Sequence, residues 1–218
     1  WTTSDAVVRT LLQLAQRAGL ARLLAPEDYG LMAMVAVVLG FATVFTDLGL
    51  NSAYVQRQEV TPEQRSSLFW LNVAMGGGLT LLVLACSPLI AAFFGDARLT
   101  PLLMLASITF VVTALGQQVK MTAEKALDFQ PVALVEIIAA VVAFVAAVVA
   151  AYASWGVYAL ILGAIMSAAG GTVLAWLFLS HGWRPMWRFK WADVRSFLGF
   201  GGALVANNIV NEFNRSID

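Results

Sequence analysis

Apolar residues run along this chain in successive stretches of about twenty, separated by short polar loops, a period that fits a bilayer better than a soluble core. Tyr29 to Thr46, Leu68 to Phe94, Leu102 to Val119, Val132 to Ala153 and Val157 to Ser180 each carry few or no charges. As helices rising about 1.5 Å per residue, such spans cross a hydrocarbon layer roughly 30 Å thick. The pattern predicts an all-α, polytopic membrane helix bundle.

Two further segments are striped rather than uniformly apolar. In Thr2 to Leu24, at roughly 100° per residue, Thr2, Asp5, Arg9, Gln13, Gln16 and Arg17 share one arc, and Val7, Val8, Leu11, Leu14, Ala15 and Ala18 cover the other side. An arginine near mid-bilayer costs on the order of 2.5–3.5 kcal/mol, so Arg9 and Arg17 need water or a partner. Two readings stand: the stripe faces an aqueous cavity, or Asp5 and Arg9 pair near the membrane surface. From Phe200 onward, Asn207, Asn211, Asn214, Arg215 and Asp218 again share one arc. That stripe faces either the same cavity or a neighbouring helix, since interhelical amide hydrogen bonds are common in membrane bundles.

Charge changes the picture by its placement. The 13 basic and 13 acidic side chains cancel, yet the basic ones gather in alternate loops. Arg57 and Arg65, then Lys120 and Lys125, then Arg184, Arg188, Lys190 and Arg195 fall on one side, leaving Arg98 on the other. The basic loops are expected in the cytoplasm, with the N-terminus inside. Topology accounts for these residues, and no basic tract points to nucleic acid.

Polar-striped helices opening each of two sets of spans predict a two-lobe transporter. Residues 1–180 would form a six-helix lobe, 181–198 a cytoplasmic interfacial linker, and 199–218 the start of a seventh helix. The chain reads as a fragment, beginning at Trp1 and stopping within that helix. The linker mixes Trp183, Trp187, Phe189 and Trp191 with four basic residues, a headgroup-level composition.

Other features carry less. Cys86 permits no internal disulfide, and no metal-ligand set or cofactor motif accompanies it. Gly76, Gly77 and Gly78 suit close helix packing, and neither they nor Gly199, Gly201 and Gly202 form a phosphate loop. Lys120, Glu124, Lys125 and Asp128 are spaced for ion pairs on an exposed helix end. Pro26 and Gly30 bracket an expected tight turn, with Glu27 and Asp28 favouring the next helix N-terminus. Gly49 is placed to end that helix after Asp47. Asp47, Arg57 and Glu136 are candidates for a gate or for ion coupling, Glu136 alternatively facing a bundle partner.

The stretches Leu20-Ala-Arg-Leu-Leu-Ala-Pro-Glu-Asp-Tyr-Gly30 and Thr46-Asp-Leu-Gly-Leu-Asn-Ser-Ala-Tyr-Val-Gln-Arg57 resemble signatures of bacterial polysaccharide and O-antigen flippases, of the multidrug/oligosaccharidyl-lipid/polysaccharide exporter superfamily. Ala123-Glu-Lys-Ala-Leu-Asp-Phe129 and the Trp183-Arg-Pro185 linker extend the resemblance over essentially the whole chain. It implies a non-enzymatic flippase in the bacterial inner membrane. The cargo would be a polyprenyl-diphosphate-linked oligosaccharide for capsule, exopolysaccharide or O-antigen. Arg9, Arg17 and Arg215 would balance the diphosphate, with Gln13, Gln16, Asn207, Asn211 and Asn214 on the sugars. Membrane lipid, a coupling H+ or Na+, and glycan polymerase or export machinery are the implied partners. A cation-coupled multidrug exporter is the first alternative, disfavoured by the arginines; a membrane glycan polymerase or ligase is the second, disfavoured by the short outer loops.

Overall fold

The computed structural model describes residues 25–44, 54–55, 57, 59–195 and 197. Five long helices order most of them: α1 (Pro26–Val44), α2 (Pro62–Phe94), α3 (Leu99–Lys125), α4 (Phe129–Tyr152) and α5 (Val157–Phe178). Among the described residues, α2 to α5 are the four helices long and apolar enough to cross a membrane, so this is a polytopic helical membrane bundle. Side chains such as Leu81, Leu89, Phe93, Val149 and Leu177 stand exposed on it, as a lipid-facing belt requires.

Each apolar span lies inside an observed helix or ends within two residues of one, but α2 and α3 outrun their spans. α2 starts at Pro62 because Thr61 and Gln64 form a capping box: Thr61 Oγ1 accepts from the Gln64 N–H at 3.3 Å, and Gln64 Oε1 from the Thr61 N–H at 3.2 Å. Hydrophobicity marks the lipid-buried length, whereas caps mark the helix. α2 stops at Gly95, whose φ of 72° is left-handed. Inside α2, Pro88 has no N–H to offer the Leu84 carbonyl, and the Ser87 hydroxyl donates to that oxygen at 2.9 Å.

The expected turn between Pro26 and Gly30 is instead the first turn of α1, with Pro26 at its start and Glu27 and Asp28 facing the helix dipole. Proline's fixed φ suits the first helical position, and the glycine is simply carried along. Asp28 reaches further: its carboxylate accepts from the Ala25 N–H at 3.2 Å and from the Val157 N–H at 3.1 Å. It thereby caps α5 from across the bundle, beside Gly156 at φ 55°. Gly49 and the second glycine group lie outside the described residues.

Small residues bring the helices together, as expected where lipid removes the hydrophobic drive between them. A Cβ on Gly76 would lie 2.6 Å from Ala114 Cβ and 2.8 Å from the Phe110 carbonyl oxygen, whereas Gly77 and Gly78 meet nothing. Packing explains only the first of the three. Between α4 and α5, Ala139, Ala143, Ala147 and Ala151 recur at every fourth position and are buried; a Cβ on Gly163 would stand 3.1 Å from that of Ala147.

Candidate functional site

A bundle held by alanine and glycine has no need of interior polar groups, yet this one contains many. On α3, Thr109, Thr113, Gln117 and Lys120 follow one another at helical spacing, on one face. They border two adjoining cavities that share Leu39, Thr109 and Thr113. The first, of about 300 Å³, is also lined by Gly40, Thr43, Asn72, Met75 and Gln117. The second, of about 340 Å³, reaches Lys120, Ser167 and Thr172. By helix rise, Asn72 and Thr113 lie about 15 and 21 Å from the starts of α2 and α3, well inside the bundle.

Some of these groups are spent on neighbours. Thr172 Oγ1 donates to the Val112 carbonyl at 2.8 Å, and Thr109 Oγ1 to that of Ala106 at 2.7 Å. Thr80 Oγ1 lies 3.0 Å from the Ser107 carbonyl, tying α2 to α3. Asn72 Nδ2 donates to Gln118 Oε1 at 3.4 Å, while the buried Gln118 Nε2 has no hydrogen-bond partner among the described residues. The cavities thus carry hydroxyl and amide groups on a lining that is otherwise apolar, with Phe110 and Ala114 in the first and Ala164 and Ala168 in the second, and both are large enough for water.

At the end of the stripe, Lys120 Nζ stands 4.0 Å from Glu136 Oε1 of α4, the side chains 24% and 29% exposed. Glu136 therefore faces a bundle partner. The expectation that Lys120 sits on an exposed helix end is corrected. It passes close to Gly171, where an added Cβ would lie 3.2 Å from Nζ.

The basic end is closed by aromatic contacts. Arg57 places its guanidinium 4.7 Å from the Phe197 ring centre, and Lys125 its ammonium 5.2 Å from that of Tyr54. Tyr54 is buried, with its hydroxyl 3.0 Å from Thr122 Oγ1. This end of the Thr46–Arg57 stretch is thus docked on α3. The linker is docked as well. Trp183 stacks on Trp176 and takes the Arg65 guanidinium at 3.9 Å, Trp70 Nε1 donates to the Met186 carbonyl at 2.9 Å, and the Ser67 hydroxyl donates to Asp193 at 3.0 Å.

At the opposite end, Arg98 donates to Asp96 at 2.8 Å and stands 3.9 Å from Glu27. The guanidinium and the Arg98 backbone N–H hold the Asp96 carboxyl below the usual carboxylate range, and Asp96 in turn raises Arg98.

Of the residues singled out from sequence, Arg57 and Glu136 are described and lie in separate clusters. Arg9, Gln13, Gln16, Arg17, Asp47, Asn207, Asn211, Asn214, Arg215 and Asp218 lie outside the described residues. Sequence reading missed Asn72, Thr113, Gln117, Lys120 and Ser167. The α3 stripe was visible as four polar residues at helical spacing, but an average over an apolar span conceals it.

A family model described as a polysaccharide biosynthesis protein matches residues 20–218. The chain is 30% identical over 217 residues to the lipopolysaccharide biosynthesis protein WzxC of Escherichia coli, covering 100% of this chain and 44% of WzxC. It is 28% identical over 218 residues to the teichuronic acid biosynthesis protein TuaB of Bacillus subtilis, covering 100% and 45%. Identity to the succinoglycan biosynthesis transport protein ExoT of Rhizobium meliloti is 25% over 192 residues, covering 88% and 38%. The chain therefore spans less than half the length of these relatives. No solved structure matches it.

Proposed function

The chain belongs to the polysaccharide biosynthesis protein family, the flippase family that its Leu20–Gly30 and Thr46–Arg57 stretches resemble, and from that premise we propose that it is one half of a two-lobe transporter. Residues 1–180 would form the first lobe, 181–198 the linker, and 199–218 the opening of the second. The cargo would be a polyprenyl-diphosphate-linked oligosaccharide, moved from the cytoplasmic to the outer leaflet of a bacterial inner membrane, with the N-terminus and the basic end in the cytoplasm.

The observation that carries this reading is the pair of adjoining cavities that hold hydroxyl, amide and ammonium groups inside an otherwise apolar bundle. Sugars and diphosphate cannot enter hydrocarbon cheaply, whereas a prenyl tail can stay there. A polar interior beside a lipid-facing belt offers each part of such a molecule its own solvent. Arg9, Arg17 and Arg215 would balance the diphosphate through charge-assisted contacts, the strongest available class. Gln13, Gln16, Asn207, Asn211 and Asn214 would exchange hydrogen bonds with sugar hydroxyls. Rocking of the lobes supplies alternating access, with H+ or Na+ as the candidate coupling ion and Asp47 and Arg57 as candidate gate residues. The transporter reading leaves the chemistry of polymerisation to partner enzymes.

The test uses the full-length protein in liposomes and follows the leaflet of a labelled polyprenyl-diphosphate oligosaccharide. Protein-dependent movement is expected, and Arg17→Ala should abolish it without lowering the amount of protein inserted. Unchanged movement in the variant removes the first helix from the route; no movement by the wild type removes the flippase reading.

A further inference from the structure

Lys120 is an ammonium inside a membrane bundle, and the described residues satisfy it incompletely. Glu136 stands at 4.0 Å, beyond the roughly 2.7–2.9 Å of a charge-assisted hydrogen bond. Among the described residues the ammonium donates no hydrogen bond. It has charge compensation at a distance, with its N–H donors left for something else.

Those donors front the cavity of about 340 Å³, in which Lys120 is the one charged lining residue among the described residues. Thr109 and Thr172 spend their hydroxyl protons on carbonyls. Thr113 and Ser167, on the same walls, make no hydrogen bond among the described residues. The cavity therefore presents a cation and two uncommitted hydroxyls, a donor set for an anion, and its volume is at the small end of ligand pockets, about 300–1,000 Å³. Gly171 lies beside the ammonium, an added Cβ there standing 3.2 Å from Nζ.

We propose that Lys120, with Thr113 and Ser167, forms an anion site of phosphate or diphosphate class within the lobe, and that Glu136 is its displaceable counter-ion. The carboxylate holds the ammonium while the site is empty and yields it when a stronger anion enters. The identification of the anion as the headgroup diphosphate of a lipid-linked substrate rests on the flippase reading; the anion site itself does not.

Binding to the full-length protein in phosphatidylcholine nanodiscs tests this with two probes, inorganic diphosphate and a polyprenyl diphosphate. Lys120→Gln should weaken both by about tenfold or more, and Glu136→Gln, by freeing the ammonium, should tighten both by about threefold or more. Wild-type affinity in Lys120→Gln, or weaker binding in Glu136→Gln, overturns the site. Should Lys120→Gln fail to fold, the direction of the Glu136→Gln change decides, with the doubly neutral Lys120→Gln/Glu136→Gln variant as the control for loss of charge. Lipid diphosphate bound independently of Lys120 sinks this site and leaves the flippase reading standing. Inorganic diphosphate bound through Lys120, with no lipid diphosphate bound by the wild type, does the reverse.

Discussion

Two turns of α5, four residues apart along one face of the helix, solve opposite problems. At Gly163 the helix meets the alanine seam of α4 so closely that a single added carbon would stand 3.1 Å from Ala147 Cβ. At Ser167 it borders a cavity of about 340 Å³. In a bilayer neither contact gains from expelling water, because lipid tails are as apolar as the helices. Cohesion therefore comes from close dispersion contacts, which the α4 seam supplies and the cavity side gives up. The bundle is close-packed along the α4 seam and hollow beside Ser167.

The sharpest way to break that contrast is to place the same side chain in both turns. Gly163→Leu drives three further carbons into the seam and should destabilise the protein by about 1–3 kcal/mol or more, the usual cost of overpacking. Ser167→Leu enters open space and should cost less than half as much. Thermal unfolding in detergent compares the two, and the liposome assay should rank them the other way, with Ser167→Leu abolishing transport in a stably folded protein. Equal destabilisation would mean that the cavity collapses in solution and the two turns do not differ.

Much of this organisation is written in the sequence, but at different levels. The apolar spans located the four crossing helices because lipid must be faced along their whole length. Capping located their true ends less visibly: Thr61 to Gln64 is legible as a capping box, yet a hydropathy average passes over it. The α4 seam was implicit in alanines at every fourth position from Ala139 to Ala151. Charge spacing along one helix favours Glu124 as the partner of Lys120, whereas its pairing with Glu136 depends on where α4 packs. Asp28 was read correctly as a helix-start residue, but its bond to Val157 joins positions far apart in the chain and has no local signal. The candidate site shows the same division: the polar stripe of α3 was present in the letters, whereas the cavity it borders exists only once α1, α2 and α5 surround it.

Asp28 offers a milder perturbation that touches both turns of α5 together. Its carboxylate sets where α5 begins and fastens that helix to α1, so the position of the alanine seam and of Ser167 both depend on it. Asp28→Ala leaves the Val157 N–H without its acceptor and should cost about 0.5–2 kcal/mol, the range of lost helix caps. Asp28→Asn, which keeps an acceptor oxygen, should recover most of this. Hydrogen exchange at the start of α5 is the direct readout: faster exchange confined to that turn in Asp28→Ala supports the cap, and unchanged exchange removes it.

The smallest effect is expected from a contact that belongs to neither turn. Asp96 and Arg98 sit in the short connection between α2 and α3, and hydrogen bonds from Arg98 hold the Asp96 carboxyl below its ordinary range. A carboxylate depressed in the folded state contributes stability that is complete above its unfolded value, near pH 4, and is lost as pH falls through the lower folded value. Nothing should therefore change between pH 7 and 5, and only acidification below about 4 should lower the unfolding temperature through this pair. Because the pair is exposed, solvent screens it, and the loss should be smaller than that from Asp28→Ala. Asp96→Asn isolates it: the variant should be slightly less stable than the wild type at pH 7, and the gap should close in acid. A gap that persists at low pH would assign the effect of Asp96 to the geometry of its connection rather than to its charge, and would leave both turns of α5 as they are.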